Sequence, residues 1–245
     1  MNRWIGKVAM VTGASSGIGA AIAKELARSG LTTIGLARRV HRVELLKKDL
    51  TGEAASRLIA MKCDITKEEE ILHAFAFVNE KFGGVDVMIN NAGVSRDITT
   101  LMANNTKDVR DIFDTNVIGL IQCSREAFQS MKARNVMGHI ININSVAGHH
   151  VLDLPRQSVY SSSKFAVTAL TEAMRIELRN EKTNIKVTSI SPGIVKTEIL
   201  NGIPGVELLP AMEPEDIADA VRYVLSTPPR VQIHELTIRP AGEPF

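Results

Sequence analysis

Short aliphatic runs alternate with longer segments of helical periodicity along the whole chain. Most of the short runs are apolar throughout, which is typical of strands that are covered on both faces. They predict strands at Val8–Thr12, Thr33–Ala37, Ile59–Asp64, Val87–Asn90, His139–Ser145, Lys186–Ser191 and Leu236–Ile238. The segments between them predict helices around Gly17–Ser29, Lys67–Phe82, Lys107–Arg134, Ser158–Glu181 and Pro214–Ser226. This order predicts an α/β Rossmann fold, in which helices flank both faces of a doubly wound parallel sheet.

The length and composition fit a single unit of this kind. The chain has 245 residues, of which 44% are hydrophobic and only 4% aromatic, as expected for one core of aliphatic strands and Ala-rich helices. No linker, repeat or low-complexity segment divides it. We therefore expect one domain over residues 1–245, with a substrate lid in the irregular stretch around residues 193–213.

Charge and hydropathy argue against several classes of protein. The net charge is only +2 and the basic residues are dispersed, so no nucleic-acid partner is expected. No apolar run reaches the roughly 18–20 residues of a membrane span, and the first predicted strand begins too early to follow a signal peptide. A soluble, cytoplasmic protein is expected. Neither the two cysteines, Cys63 and Cys123, nor the histidines near Ser145 have metal-ligand spacing, so we expect buried thiols and no metal.

A glycine-rich turn follows the first predicted strand and opens the first helix. Its sequence, TGASSGIGAAIA, runs from Thr12 to Ala23. Glycines permit a tight turn there and let backbone N–H groups approach a pyrophosphate at the helix N-terminus. A glycine turn without a ligand is the plainer alternative, but the strand-to-helix context favours dinucleotide binding. The predicted contacts are Gly13, Ser15, Ser16, Gly17, Ile18 and Gly19.

The end of the second predicted strand distinguishes NADP from NAD. NAD-binding proteins place a carboxylate there for the ribose 2′-hydroxyl, whereas this chain has GLARR, from Gly35 to Arg39. Arg38 and Arg39 would bind a 2′-phosphate through charge-assisted hydrogen bonds, so NADP is the predicted cofactor. An exposed basic loop is the alternative. After the third strand, Asp64, followed by Ile65, is expected to accept a hydrogen bond from the adenine amino group.

Tyr160 and Lys164 are four residues apart in a predicted helix and therefore share one helix face. A cation beside a phenol favours the phenolate, so we expect the pKa of Tyr160 to fall below its usual value of about 10, toward the range useful for proton transfer. The three serines between them would leave room for a cofactor. With two tyrosines in the chain, such a pair arises by chance about one time in four, so its meaning depends on the context.

That context consists of polar residues predicted at or near the carboxyl edge of the sheet. The turn NNAG, from Asn90 to Gly93, ends the fourth predicted strand, and Ser145 ends the fifth. Asn116 lies in an otherwise apolar part of the long helix between them. In open α/β sheets this edge is where ligands bind.

In this ordered set of motifs the chain resembles the short-chain dehydrogenase/reductase family over nearly its whole length. The resemblance implies that Tyr160 is the general acid/base, that Lys164 lowers its pKa and holds the nicotinamide ribose, and that Ser145 positions the substrate oxygen. Asn116 would anchor a water in a proton relay to Lys164. Further implied cofactor contacts, besides Tyr160 and Lys164, are Asn91, Ala92, Gly93, Pro192, Gly193, Val195 and Thr197. A homodimer or homotetramer that pairs the two long helices is also implied.

Three segments, MNRWIGKV, GLARR and INSVAGH, are similar to a narrower group of insect NADP-dependent farnesol dehydrogenases and related mammalian cytosolic carbonyl and ketosteroid reductases. The apolar lid and the loop residues Val151, Leu152, Leu154 and Pro155 suit a hydrophobic alcohol or carbonyl substrate such as an isoprenoid, a steroid or a fatty aldehyde. A general carbonyl, 3-ketosteroid or 3-oxoacyl reductase, an isomerase of the same fold, and a non-catalytic NADP-binding regulatory protein are the alternatives.

Overall fold

Seven parallel strands form one sheet in the computed structural model of the chain, which describes residues 1–151, 156–201, 203 and 205–243. The strand order is β3-β2-β1-β4-β5-β6-β7. The chain therefore starts in the middle of the sheet, winds outward to β3, and returns to wind toward β7. This is the predicted doubly wound parallel sheet. The strands are β1 Val8–Thr12, β2 Thr32–Ala37, β3 Leu58–Lys62, β4 Val87–Asn90, β5 His139–Ile143, β6 Lys186–Pro192 and β7 Glu235–Ile238.

Helices cover both faces of the sheet and bury one apolar cluster on each face. The helices are α1 Gly17–Arg28, α2 Val40–Leu46, α3 Glu53–Arg57, α4 Glu68–Phe82, α5 Thr106–Phe113, α6 Gly119–Ala133, α7 Ser158–Asn180 and α8 Pro214–Ser226. The core side chains of α1 and α8 lie on one face, and those of α4 and α6 lie on the other. Because both faces are covered, β1, β4 and β5 are buried along their whole length, whereas the edge strand β7 is partly exposed.

Some elements differ from the sequence prediction. The helices α2 and α3 were not predicted, because seven and five residues are too few to show a helical period. The third and fifth strands end at Lys62 and Ile143, two residues before their predicted ends. The long helix predicted over Lys107–Arg134 is interrupted by a π-helical turn at Asp114–Ile118. Such turns often occur at functional sites, since their wider spacing disturbs the regular backbone hydrogen bonds.

A chain of buried polar side chains ties α6 and α7 to the middle of the sheet. The Asn90 Nδ2 donates to Ser124 Oγ on α6 at 2.8 Å and to Asn142 Oδ1 on β5 at 2.9 Å. Asn142 Nδ2 in turn donates to Thr171 Oγ1 on α7 at 2.8 Å. Buried amides and hydroxyls are costly without such partners, so these bonds favour one register of the two helices against the sheet. They hold α7 in place directly behind the cavity.

Candidate active site

The carboxyl ends of the central strands border a cavity of about 740 Å³. The neighbouring strands β1 and β4 lie where the strand order changes direction, which is where ligands bind in open α/β sheets. The structure brings the predicted cofactor-binding residues together on the wall of this cavity, with Ser145. Asn116 does not line it and lies buried behind the wall. The roles of these residues remain predictions.

The glycine turn after β1 is shaped for close backbone approach. Gly13 has a φ of +67°, and a Cβ added to it would lie 2.9 Å from the Ala92 Cα. A Cβ on Gly19 would lie 2.3 Å from the Asn91 Nδ2 and 2.4 Å from the Gly13 carbonyl oxygen. Larger residues are therefore excluded, and the first N–H groups of α1 stay accessible from the cavity. This cradle fits the pyrophosphate of a dinucleotide.

The NNAG turn is fixed to the end of β1 by Thr12. The Thr12 Oγ1 accepts hydrogen bonds from the backbone N–H groups of Asn91 and Ala92, both at 3.0 Å, while the Asn91 Nδ2 donates to the Thr12 carbonyl at 2.9 Å. A Cβ on Gly93 would lie 3.5 Å from the Asn116 Oδ1 and 3.9 Å from the Lys164 Nζ. The turn therefore connects the glycine cradle with the first turns of α7.

Tyr160 and Lys164 lie in the first two turns of α7 and share one face, as predicted. The Lys164 Nζ lies 5.7 Å from the centroid of the Tyr160 ring and donates to the Ile143 carbonyl at 3.1 Å. Burial lowers the pKa of Lys164 to about 8. The ammonium group therefore still carries its charge at neutral pH, although the Lys164 side chain is buried.

The expectation that the pKa of Tyr160 falls below its usual value is wrong. Burial raises the pKa of Tyr160 to about 12, and a hydrogen bond with Ser145 opposes this shift only in part. Desolvation disfavours the phenolate more than the polar neighbours favour it. The phenol consequently keeps its proton at neutral pH and is prepared to act as an acid.

The Asn116 amide is held by protein groups on both of its atoms. Its Oδ1 accepts from the Val94 N–H at 2.8 Å, and its Nδ2 donates to the Val94 carbonyl and to the Ser163 Oγ, both at 3.0 Å. Ser163 Oγ also donates to the Tyr160 carbonyl at 2.7 Å. Asn116 thus joins the π-helical turn, the loop after β4 and α7.

The serines between Tyr160 and Lys164 do not have the predicted arrangement. Ser161 and Ser163 are buried and do not line the cavity. The short turn Val146–Gly148 packs against α7 so closely that a Cβ on Gly148 would lie 2.7 Å from the Lys164 carbonyl oxygen. Ser163 instead accepts a hydrogen bond from the Asn116 Nδ2 and donates one to the Tyr160 carbonyl.

Arg38 and Arg39 lie exposed just after β2 and line the cavity. The sequence predicts that the adenosine part of the cofactor binds at this end. The Arg39 Nη2 donates to the Ser16 Oγ at 3.1 Å and to the Glu198 Oε2 at 2.8 Å. Arg42, on α2, donates to the other oxygen of the same carboxylate at 2.6 Å. Arg42 and Glu198 were not predicted, because their contact joins residues separated by more than half of the chain.

Asp64 and its neighbours form the wall of the same end. The Asp64 Oδ1 accepts from the backbone N–H and the hydroxyl of Thr66, at 3.1 and 2.9 Å, while Glu70 accepts from the Asp64 N–H at 2.8 Å. Among the described residues, no group donates to the Asp64 Oδ2. That oxygen remains available for the predicted adenine contact.

The segment after β6 forms another part of the cavity lining. Its apolar wall comprises Ile194, Ile199, Leu200, Ile203 and Val206. Opposite Gly193 lies the buried Glu243, which accepts from the Ile194 N–H at 3.3 Å and is paired with Arg239. Ser95 and Gln157, which share a hydrogen bond of 3.2 Å, also line the cavity. The cavity residues Ser95, Gln157 and Glu243 were not predicted, since no local pattern marks them.

Part of the predicted substrate loop is not described. Leu152, Leu154 and Pro155 lie outside the described residues, and Val151 is exposed. The lid prediction also includes two undescribed positions, residues 202 and 204. Its two ends are joined by backbone hydrogen bonds between Ile194, Lys196 and Met212.

Three further features of the structure concern metal ligands, membrane-spanning helices and thiol groups. In the part of the chain that the structure describes, no three His, Cys, Asp or Glu side chains are grouped as metal ligands would be. None of the described helices is both long and apolar enough to cross a bilayer. Cys63 and Cys123 are buried, and burial raises the pKa of both thiols.

Comparison with known proteins identifies the family. The family model described as short chain dehydrogenase matches residues 7–205. The chain belongs to the short-chain dehydrogenase/reductase family. It is therefore an oxidoreductase of a family whose solved members include complexes with nicotinamide cofactors.

Two relatives and one solved structure are similar over nearly the full chain. The farnesol dehydrogenase of Aedes aegypti is 59% identical, with 100% of both chains covered. The human dehydrogenase/reductase SDR family member 11 is 45% identical over 99% of this chain and 97% of its own. The alcohol dehydrogenase of Thermococcus sibiricus, solved in complex with 5-hydroxy-NADP, is 30% identical with a TM-score of 0.84, covering 96% of this chain and 97% of its own.

Proposed function

We propose that the chain is an NADP(H)-dependent oxidoreductase that interconverts a hydrophobic alcohol and the corresponding carbonyl compound. The observation that carries this proposal is the convergence of Tyr160, Lys164 and Ser145 on the cavity that also contains the glycine cradle. A proton donor, a buried cation and a hydroxyl then lie beside the site for a dinucleotide. General acid–base catalysis of a redox step needs this combination.

The cofactor would be held by the glycine cradle, by Arg38 and Arg39 at the 2′-phosphate, and by Lys164 at the nicotinamide ribose. When bound, the nicotinamide supplies or accepts the hydride. Ser145 donates a hydrogen bond to the substrate oxygen and so orients it toward Tyr160. The phenol gives its proton to this oxygen as negative charge develops there, and the Lys164 ammonium stabilises the phenolate that remains. In the oxidation of an alcohol the same groups act in the opposite direction.

The substrate class follows from the apolar wall around Ile199, Leu200 and Val206 and from the 59% identity to a farnesol dehydrogenase. A long apolar alcohol would bury its chain against these side chains and place its hydroxyl beside Ser145. We therefore name an isoprenoid alcohol such as farnesol as the substrate.

A substrate panel tests this assignment. Isoprenoid alcohols, steroids and small diketones are incubated with the oxidised or the reduced form of NADP or of NAD. The reduced nicotinamide is followed by its absorbance. The expected result is farnesol oxidation with NADP⁺ at a higher kcat/KM than with any steroid or diketone. A substrate that is converted with no change in the nicotinamide would favour an isomerase, and inactivity across the panel would favour a regulatory protein.

We further propose that the protein pairs through α6 and α7. In these helices Ile112 and Val167 are buried within the chain, but Phe165 and Ile176 on α7 and Ile118 beside α6 remain exposed. Exposed apolar residues on adjacent helices favour a symmetric interface. We expect a dimer or tetramer of the 26.7 kDa chain by light scattering at micromolar concentration, and dissociation of the Phe165→Glu variant. A monomer mass for the unmodified protein would contradict the proposal.

A further inference from the structure

One carboxylate bridges two arginines at the end of the cavity assigned to the adenosine. Glu198 begins the 3-10 turn Glu198–Leu200. Its Oε2 accepts from the Arg39 Nη2 at 2.8 Å, and its Oε1 accepts from the Arg42 Nη1 at 2.6 Å. The Arg39 Nη2 also donates to the Ser16 Oγ, at 3.1 Å, in the glycine turn. Arg39 and Arg42 thus form an anion site, and its present occupant is the Glu198 carboxylate, which comes from a different part of the fold.

The chemistry of this occupant is close to that of a phosphate. Carboxylates and phosphate monoesters both present several acceptor oxygens to the planar donors of guanidinium groups. The hydrogen bond from Arg39, followed in size by the one from Arg42, holds the pKa of Glu198 below its usual range. The carboxylate is therefore an anion at neutral pH. A phosphate monoester carries a larger charge, about −1.5 to −2 at neutral pH, and would be the stronger ligand of the same two arginines.

The ion pair between Arg39 and Glu198 is also exposed enough for another anion to replace the carboxylate. The side chains of Arg39 and Glu198 are 44% and 48% exposed, and ion pairs at this exposure are weakened by water and salt. An incoming phosphate does not have to break a buried pair. It has only to replace one anion with another that has more charge and more oxygens.

We propose that Glu198 is an internal stand-in for the cofactor's 2′-phosphate, and that Arg42 belongs with Arg39 to the site where the two anions compete. This inference rests on the proposed use of NADP(H). It makes Glu198 and Arg42 determinants of cofactor specificity, with opposite signs: Arg42 favours the 2′-phosphate and Glu198 opposes it.

The exchange also has a structural consequence. Glu198 follows Thr197, whose side chain lies so close to the glycine turn that a Cβ on Gly17 would be 2.9 Å from the Thr197 Cγ2. Ile199 and Leu200 follow Glu198 and line the cavity. A 2′-phosphate that displaces the carboxylate therefore frees the start of this turn from β2 and α2, whereas a nucleotide without the phosphate leaves the contact in place.

Binding of two adenosine nucleotides tests the proposal without reference to catalysis. Adenosine 2′,5′-bisphosphate and adenosine 5′-monophosphate differ only in the 2′-phosphate, and their dissociation constants are measured by isothermal titration calorimetry. For Glu198→Gln we expect the bisphosphate to bind roughly 3- to 10-fold more tightly, with less than about a twofold change for the monophosphate. For Arg42→Gln we expect the bisphosphate to bind roughly 3- to 10-fold more weakly, again with little change for the monophosphate.

Glu215→Gln is the matched control. Glu215 borders the adjoining groove, which also contains Ser16 and Glu198, and the substitution removes the same charge without touching the arginine pair. Its effect on the bisphosphate should stay within about twofold, since a charge that acts only through water is screened.

The outcomes separate this inference from the cofactor proposal. If the unmodified protein prefers the bisphosphate but Glu198→Gln binds it no more tightly, or Arg42→Gln binds it equally well, the inference is wrong and the NADP assignment stands. An equal gain in Glu215→Gln would also overturn it, because the effect would then be general. If neither the unmodified protein nor Glu198→Gln prefers the bisphosphate, both proposals fail. If the preference for the bisphosphate over the monophosphate appears or increases only when the Glu198 charge is removed, the proposal that Glu198 competes with the 2′-phosphate is supported.

Discussion

Replacing Tyr160 with phenylalanine is expected to lower kcat by about 10²- to 10⁴-fold, the usual contribution of a positioned general acid or base. The substitution removes the hydroxyl that donates the proton but keeps the ring that packs at the start of α7. Cofactor affinity and the melting temperature should therefore change little. Steady-state kinetics with NADP(H), together with calorimetric cofactor binding, separates loss of chemistry from loss of binding.

The chain offers a matched control for this prediction. Tyr223, on α8, is the second of its two tyrosines; it is exposed and does not line the cavity. Tyr223→Phe removes the same hydroxyl and should leave kcat within about twofold of the unmodified protein. A correctly folded Tyr160→Phe protein whose kcat is as high as that of Tyr223→Phe would contradict the assignment of Tyr160 as the general acid/base.

The second large effect is expected at the end of β2. Arg39→Gln should weaken NADPH binding by roughly 10- to 150-fold, because a hydrogen bond to a charged group contributes about 1.5–3 kcal/mol. NADH has no 2′-phosphate, so its affinity should change less than about threefold. Arg38→Asp, which adds repulsion as well as removing a donor, should shift the preference further toward NADH. Calorimetric titration with both cofactors measures these ratios.

An arginine outside the cavity provides the comparison. Arg222, on α8, is paired with Asp219 and Glu25, and Arg222→Gln should leave both cofactor affinities unchanged. The assignment of the basic segment would be contradicted if unmodified protein bound NADPH and NADH equally, or if Arg222→Gln reduced NADPH affinity as much as Arg39→Gln.

Much of the fold could be predicted because buried parallel strands are apolar throughout, a signal that five or six residues can carry. The errors at β3 and β5 occur where the strand pattern of the sequence continues beyond the strand. Residues beyond Lys62 and Ile143 leave the sheet to form the cavity wall, although their sequence continues the strand pattern. The π-helical turn around Asn116 was missed for a related reason. A wider turn barely changes the apolar period of a helix with almost thirty residues.

The sequence predicts which motifs meet at the cavity, but not their electrostatic environment. The spacing of Tyr160 and Lys164 places both groups on one helix face, yet it contains no information on how deeply the phenol is buried. Burial decides the direction of the pKa shift of Tyr160, and the expectation based on the neighbouring cation was wrong. The bridge from Arg39 to Glu198 joins residues 159 positions apart, and no pattern of a single sequence encodes such a contact.

The most direct test of the account is an isotope measurement on the reaction itself. An isoprenoid aldehyde is reduced by the unmodified protein with NADPH that carries deuterium on both faces of the nicotinamide C4, and the product is analysed by mass spectrometry. The account predicts one deuterium per alcohol, on the carbon that carries the hydroxyl, since the hydride passes directly between cofactor and substrate. An alcohol product without deuterium, or an aldehyde that is converted to an isomer while NADPH remains unchanged, would contradict it.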